Sequence, residues 1–173
     1  TEEDEPCTTE EICRSIISKC ESELKNNELE LERIMIEPGR SIVAEAGYTL
    51  YRVGFSKETP NKSYVFIDGG MTDNIRVALY EAKYECDLAN KMKQEKNKKY
   101  TVAGKCCESG DILIEGTMLP EAEEGDLLVV YGTGAYGYSM ANNYNRISRP
   151  AVVFAKDGKA RIVIKRENYL DQL

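Results

Sequence analysis

Gly47-Tyr48-Thr49-Leu50-Tyr51-Arg52-Val53 is where the hydrophobic period of this 173-residue sequence changes from helical to alternating. Tyr48, Leu50 and Arg52 alternate with Thr49, Tyr51 and Val53, the period of a strand with two different faces. A second run, Ser63-Tyr64-Val65-Phe66-Ile67-Asp68, follows the turn-forming Thr59-Pro60-Asn61, so the two predict antiparallel strands.

Upstream the pattern is different. Thr8-Thr9-Glu10-Glu11 has the form of a capping box, and Ile12, Cys13, Ile16, Ile17, Cys20 and Leu24 follow at helical spacing, which predicts an amphipathic helix over 8–25 ended by Asn26-Asn27. Cys13 and Cys20 lie on its apolar face, where packing is the expected role. Arg33-Ile34-Met35-Ile36 is a nearly continuous apolar run, the pattern of a strand buried on both faces in a parallel sheet. A helix followed by a buried strand is half of a β/α repeat, so the switch to paired strands puts a domain boundary near Ala46.

Downstream, Asp68-Gly69-Gly70 bends into a short helix capped by Asp73 or Asn74 and carrying Arg76 and Tyr80. Residues 91–99 are lysine-rich and predict a solvated loop. Tyr100 to Cys107 reads as strand, which sends Cys106 and Cys107 to opposite faces. Strands over 112–115 and 127–131 lead to the glycine cluster at 132–137, with Tyr136 at a strand-to-helix junction. A closing hairpin over 152–155 and 160–164 is marked by Asp157-Gly158.

The formal charge of −7 argues against nucleic acid, whose phosphates need clustered Lys and Arg. No apolar stretch approaches the roughly 20 residues of a membrane helix, and the acidic first residues are wrong for a targeting peptide, so a soluble, cytoplasmic protein is expected. Six cysteines show no C-x-x-C pairing and are read as reduced thiols. Histidine is absent, which removes Ser-His-Asp and Cys-His catalysis and the usual His-containing zinc sites from this polypeptide.

Three glycine-punctuated clusters fall at strand ends and are expected to rim one site. Glu37-Pro38-Gly39-Arg40-Ser41 offers freed backbone N–H groups and a bidentate anion donor, fit for a phosphate or carboxylate, although a helix start with a solvated Arg reads equally well. Gly132 to Tyr138 is the second cluster. The third, Gly104-Lys105-Cys106-Cys107-Glu108-Ser109-Gly110-Asp111, sets a thiol beside a carboxylate. Arg76 and Tyr80, four apart on one helical face, can hold a carboxylate between guanidinium and phenol, or be an exposed Arg beside a packing Tyr.

Taken together, Glu37-Pro38-Gly39-Arg40-Ser41, Asp73-Asn74-Ile75-Arg76-Val77-Ala78-Leu79-Tyr80, Cys107-Glu108-Ser109-Gly110-Asp111 and Gly134-Ala135-Tyr136-Gly137-Tyr138-Ser139-Met140-Ala141 with Asn143-Tyr144-Asn145 are specific. In this order, over residues 8–173, they resemble the C-terminal part of the diaminopimelate decarboxylase family, pyridoxal-phosphate enzymes of alanine-racemase-like fold. The resemblance implies an α+β, mainly antiparallel domain, a Greek-key-like barrel or sandwich over 47–173. Residues 1–46 are then the last helix and strand of an N-terminal (β/α)₈ barrel of roughly 250 residues that is otherwise missing.

The resemblance also implies decarboxylation of meso-diaminopimelate to L-lysine in lysine biosynthesis. Glu37, Pro38, Gly39 and Arg40 border the cofactor phosphate and Tyr136 contacts cofactor and substrate. Arg40, Arg76 and Tyr80 take the distal carboxylate, Glu108 holds the distal amine, and Cys107 protonates the carbon that loses carbon dioxide. In the family the Cys–Glu pair acts in the partner subunit of a head-to-tail homodimer. The chemistry agrees: a substrate with two carboxylates and two amines calls for Arg and Glu together, and a carboxylate beside a thiol disfavours the thiolate and keeps the proton available.

Val77 departs from the proline usual after the helix arginine. The Schiff-base lysine belongs to the barrel, so the polypeptide alone is expected to be inactive and to form no borohydride-reducible adduct at a unique lysine. Decarboxylation of ornithine or arginine on the same fold, and a non-catalytic β-domain that binds a partner chain, are the competing expectations.

Overall fold

A computed structural model describes residues 6–173, and the chain falls into two compact units, Thr1–Gly39 and Arg40–Leu173. In the first, helix α1 spans Thr9–Asn26. Its capping box is formed: the Glu11 N–H donates to Thr8 Oγ1 at 3.2 Å and the Thr8 N–H to Glu11 Oε2 at 2.7 Å, satisfying donors the helix leaves open. Asn27 closes the other end through its backbone N–H and side-chain amide, both on the Glu23 carbonyl. The expected packing face is uncovered: no α1 residue is buried, and Ile12 and Ile17 are each 46% exposed.

The strand expected over 33–36 is not formed, and these residues are exposed coil. A parallel strand exists only through hydrogen bonds to a neighbour, and among the described residues no strand pairs with this run. Its apolar pattern records an intent to be buried that nothing in this unit fulfils.

In the second unit six strands form one sheet in the order β3-β6-β1-β2-β4-β5. They are β1 (Thr49–Glu58), β2 (Ser63–Ile67), β3 (Cys86–Leu88), β4 (Lys98–Ala103), β5 (Ile112–Leu119) and β6 (Leu127–Val130). The alternation at 48–53 sorts its faces as read: Tyr51 and Val53 point into the core while Leu50 and Arg52 are exposed. β1 serves two neighbours, pairing β6 through Arg52 and then β2 from Val53 onward, with a register irregularity between Val53 and Phe55. All pairings are antiparallel except β2 with β4. The outer strands approach each other, with Cys86 Sγ of β3 3.8 Å from Thr117 Oγ1 of β5, so the sheet is a nearly closed barrel.

Val53, Val65, Leu88, Val102, Leu119, Leu128 and Val130 fill this barrel at 0% exposure, each side chain contributing about 1.5–3 kcal/mol by leaving water. A separate hairpin pairs β7 (Val152–Lys156) with β8 (Lys159–Ile164). Its turn has Asp157 at φ 50° and Gly158 at φ 71°, the left-handed pair whose twist matches a two-residue hairpin.

Two local expectations change. The lysine-rich run is not simply a solvated loop: the Lys91 side chain is only 11% exposed and binds Asp126 at 2.8 Å and Glu123 at 2.6 Å, while Lys98 and Lys99 open β4. The strand expected to reach Cys107 stops at Ala103, so Cys106 and Cys107 lie in a loop and not on opposite strand faces.

Candidate functional site

Arg40 opens a 3₁₀ turn, Arg40–Ile42, whose carbonyl accepts from the Ala44 N–H at 3.0 Å. The following backbone lies directly on the second glycine cluster. Gly134 N–H donates to the Ala44 carbonyl at 2.9 Å, Thr133 N–H to the Gly47 carbonyl at 3.0 Å, and Thr49 Oγ1 to Thr133 Oγ1 at 2.8 Å. Only glycine permits this approach: a Cβ on Gly134 would stand 1.9 Å from the Val43 carbonyl oxygen. The contact carries Arg40 to Tyr136.

Arg76 arrives from another direction. The chain leaves β2, turns at Gly70 (φ 141°) and starts helix α2, Arg76–Tyr80. The expected cap by Asp73 or Asn74 is not made. Ile75 is the N-cap without a side-chain bond, and Asp73 Oδ2 instead accepts from the Gly70 N–H at 3.0 Å. Asp73 therefore fastens the bend one turn before the helix.

The result is a cationic–aromatic cluster. The Arg40 and Arg76 guanidinium carbons lie 5.6 and 5.5 Å from the centroid of the Tyr136 ring, and Arg76 is 5.1 Å from that of Tyr80. Tyr136 precedes helix α3, Gly137–Met140, in a left-handed conformation at φ 66°, its carbonyl bonded by the Met140 N–H and Ser139 Oγ. A non-glycine residue held there is strained, and such strain concentrates where a side chain must be aimed. Among the described residues neither arginine forms an ion pair, and Arg40 Nη2 and Arg76 Nε are buried without a hydrogen-bond partner. Two cations converge on one ring with buried donors unmet, and unmet buried donors cost free energy until acceptors are supplied, so the arrangement is one that can accept an anion.

Glu37, Pro38 and Gly39 lie in the first unit as exposed coil. Cys107 and Glu108 are exposed and, among the described residues, make no hydrogen bond or ion pair with the arginine cluster. Glu108 Oε1 accepts only from Ser109 Oγ and the Gly110 N–H, each at 3.4 Å. Arg40 of the first cluster thus meets Tyr136 of the second, while Asp111 of the third is bonded to the turn before α2. Burial and then Asp111 push the Cys106 thiol up to about 11. Burial also raises the Asp73 carboxyl, and burial with Asp73 beside it carries the Tyr51 phenol well above its ordinary value.

One support escaped sequence reading. Glu167 accepts from the Arg149 guanidinium and backbone N–H and from Asn143 Nδ2 at 2.7 Å, while Arg149 lies 5.7 Å over the Tyr138 ring. This clamp backs the segment that follows Tyr136. Arg149 and Asn143 are far from Glu167 in sequence and no local pattern joins them.

The sequence model described as pyridoxal-dependent decarboxylase, C-terminal sheet domain, matches residues 16–134, and the chain belongs to that family. Its relatives are specific: it is 55% identical over 172 residues to the diaminopimelate decarboxylase of Bacillus subtilis (strain 168), covering 99% of this chain and 39% of that protein. With diaminopimelate decarboxylase of Synechocystis it shares 45% over 174 residues, 100% of this chain and 37% of the relative. The crystal structure of diaminopimelate decarboxylase from M. jannaschii superposes with a TM-score of 0.87 at 37% identity, covering 99% of this chain and 38% of that one. The chain therefore spans about two-fifths of the length of the relatives it matches.

Proposed function

We propose that this chain is the substrate-binding and proton-donating C-terminal part of a diaminopimelate decarboxylase, a carboxy-lyase that converts meso-diaminopimelate to L-lysine and carbon dioxide in the cytoplasm. The observation that carries the reading is the pair Arg40 and Arg76 over Tyr136 with unpartnered buried donors. A structure of the M. jannaschii relative in complex with L-lysine, similar with a TM-score of 0.86, is consistent with an amino-acid ligand.

The same donors fit pyridoxal phosphate, an anionic group. Arg40 and Tyr136 are the residues of the second unit that would border it, and when bound it supplies the sink for the electron pair released with carbon dioxide. Arg40, Arg76 and Tyr80 hold the distal carboxylate by charge and forked donors. Glu108 pairs with the distal ammonium, and the Cys107 thiol gives its proton to the substrate carbon. Exposure of Cys107 and Glu108, with no bond to the arginine cluster among the described residues, supports their acting in the site of a second subunit.

The test is a chimera in which this chain replaces the matching C-terminal part of the B. subtilis enzyme. Carbon dioxide released from meso-diaminopimelate and from ornithine is compared. The expected outcome is turnover of diaminopimelate with kcat/KM at least about a hundredfold above ornithine, since unpaired buried charges penalise a substrate lacking the second carboxylate. Preference for ornithine selects the other decarboxylase reading. A folded chimera that releases nothing selects the non-catalytic module.

A further inference from the structure

We propose that Asp111 is the positioning residue of the Cys107–Glu108 loop, its carboxylate tying that loop to the turn that launches Arg76. The inference rests on the reading of Cys107 as proton donor. Asp111 is 3% exposed, yet among the described residues it forms no ion pair. Oδ1 accepts from the Met71 N–H at 2.7 Å and Oδ2 from the Cys106 N–H at 2.8 Å. Its main chain closes the loop from both sides, accepting from the Gly104 N–H at 2.9 Å and donating to the Glu108 carbonyl at 3.1 Å. Lys105 N–H to the Gly69 carbonyl, 3.2 Å, completes the seam.

The space for this carboxylate is reserved by two glycines. A Cβ at Gly70 would stand 2.3 Å from Oδ1 and one at Gly104 2.2 Å from Oδ2. Cys107 has no hydrogen bond of its own among the described residues, so its place is set by its neighbours. Asp111 can hold both sides because an ionised carboxylate accepts at each oxygen, whereas an amide must turn a donor toward one of the two N–H groups. One side chain thereby fixes the proton donor and the bend before the carboxylate-binding arginine, and donor placement errors near 1 Å carry large rate costs.

The experiment uses Asp111→Asn in the chimera, with Cys106 as a reporter, since Asp111 is among the groups that suppress its thiolate. We expect kcat for diaminopimelate to fall at least about tenfold while KM moves less than about threefold. We also expect iodoacetamide alkylation of the Cys106 peptide near pH 8 to rise at least about tenfold, because the thiolate is no longer repelled. Retention of kcat within about twofold overturns the proposal. So does a fall in kcat with Cys106 alkylation unchanged or with KM rising in step. If the unsubstituted chimera releases no carbon dioxide, it is the functional reading that fails, and the alkylation rate alone then decides the role of Asp111. Should Asp111→Asn not fold, Gly104→Ala presses a methyl group on the same carboxylate; the same fall in kcat with KM nearly unchanged is expected of it, and kcat retained within about twofold overturns the proposal.

Discussion

Arg76 is the centre of the cationic–aromatic cluster, because its guanidinium faces both Tyr80 and Tyr136 while its Nε remains unpartnered. Lysine at this position keeps the charge and loses the planar fork and the stacking. For Arg76→Lys in the chimera, the KM for diaminopimelate is expected to rise about tenfold or more with a smaller change in kcat, read from initial rates. An unchanged KM would remove Arg76 from the binding site. The spacing of Arg76 and Tyr80 was legible in the sequence because helical neighbours four apart meet by local geometry. The meeting of Arg40 with Tyr136 was expected from their glycine clusters and the family resemblance, but the contact that makes it, backbone between Gly134 and the Val43–Gly47 turn, joins segments distant in sequence and no local pattern announced it. Asp73 was read as a helix cap from its residue type, but its carboxylate is engaged by Gly70 instead. The raised pKa of the Cys106 thiol was not legible, since burial of one of two adjacent thiols is a tertiary property.

Among the elements, the clamp of Glu167 on Arg149 carries a pH signature. The bonds from Arg149 and Asn143 hold the Glu167 carboxyl down to about 2, against about 4.3 when unfolded. A depressed folded pKa means that the clamp's contribution is complete above the unfolded value and is lost as pH falls toward 2. Glu167→Gln should therefore lower the melting temperature near neutral pH, and the gap from the parent protein should close between about pH 5 and pH 2. A gap constant across that range in scanning calorimetry would assign the effect to packing alone. The elements legible from sequence were those with self-contained signals: the capping box of α1, the alternation of β1 and the Asp157-Gly158 hairpin. The run at 33–36 carried a strand pattern as well, but a strand is completed by its neighbour, and none is present among the described residues.

At the scale of the molecule, the barrel is stabilised by side chains from strands that are neighbours in space and not in sequence. Leu128 of β6, fully buried, lies on a strand between β3 and β1. Leu128→Ala should cost about 2–5 kcal/mol, seen as a lower urea midpoint with unchanged slope. A cost below about 1 kcal/mol would mean that the barrel collapses to refill the space. The sequence announced a mainly antiparallel sheet, yet strand order was outside its reach, since periodicity names faces and not partners.

The single parallel pair has a kinetic consequence. Because β2 and β4 run in the same direction, the chain must make a long excursion between them, and that excursion contains both the Gly70 bend and helix α2 with Arg76. Long-range closure of this kind is slow, since chain entropy is lost before the contacts form. Arg76 can therefore meet Arg40 and Tyr136 only late, after the barrel has drawn β4 alongside β2. In stopped-flow refolding, anion affinity is expected to return with the slowest structural phase, after strand formation seen by circular dichroism. Under the proposed function, a chain that has mispaired its strands has nowhere to bind, and ligand stabilises only molecules whose topology is already correct.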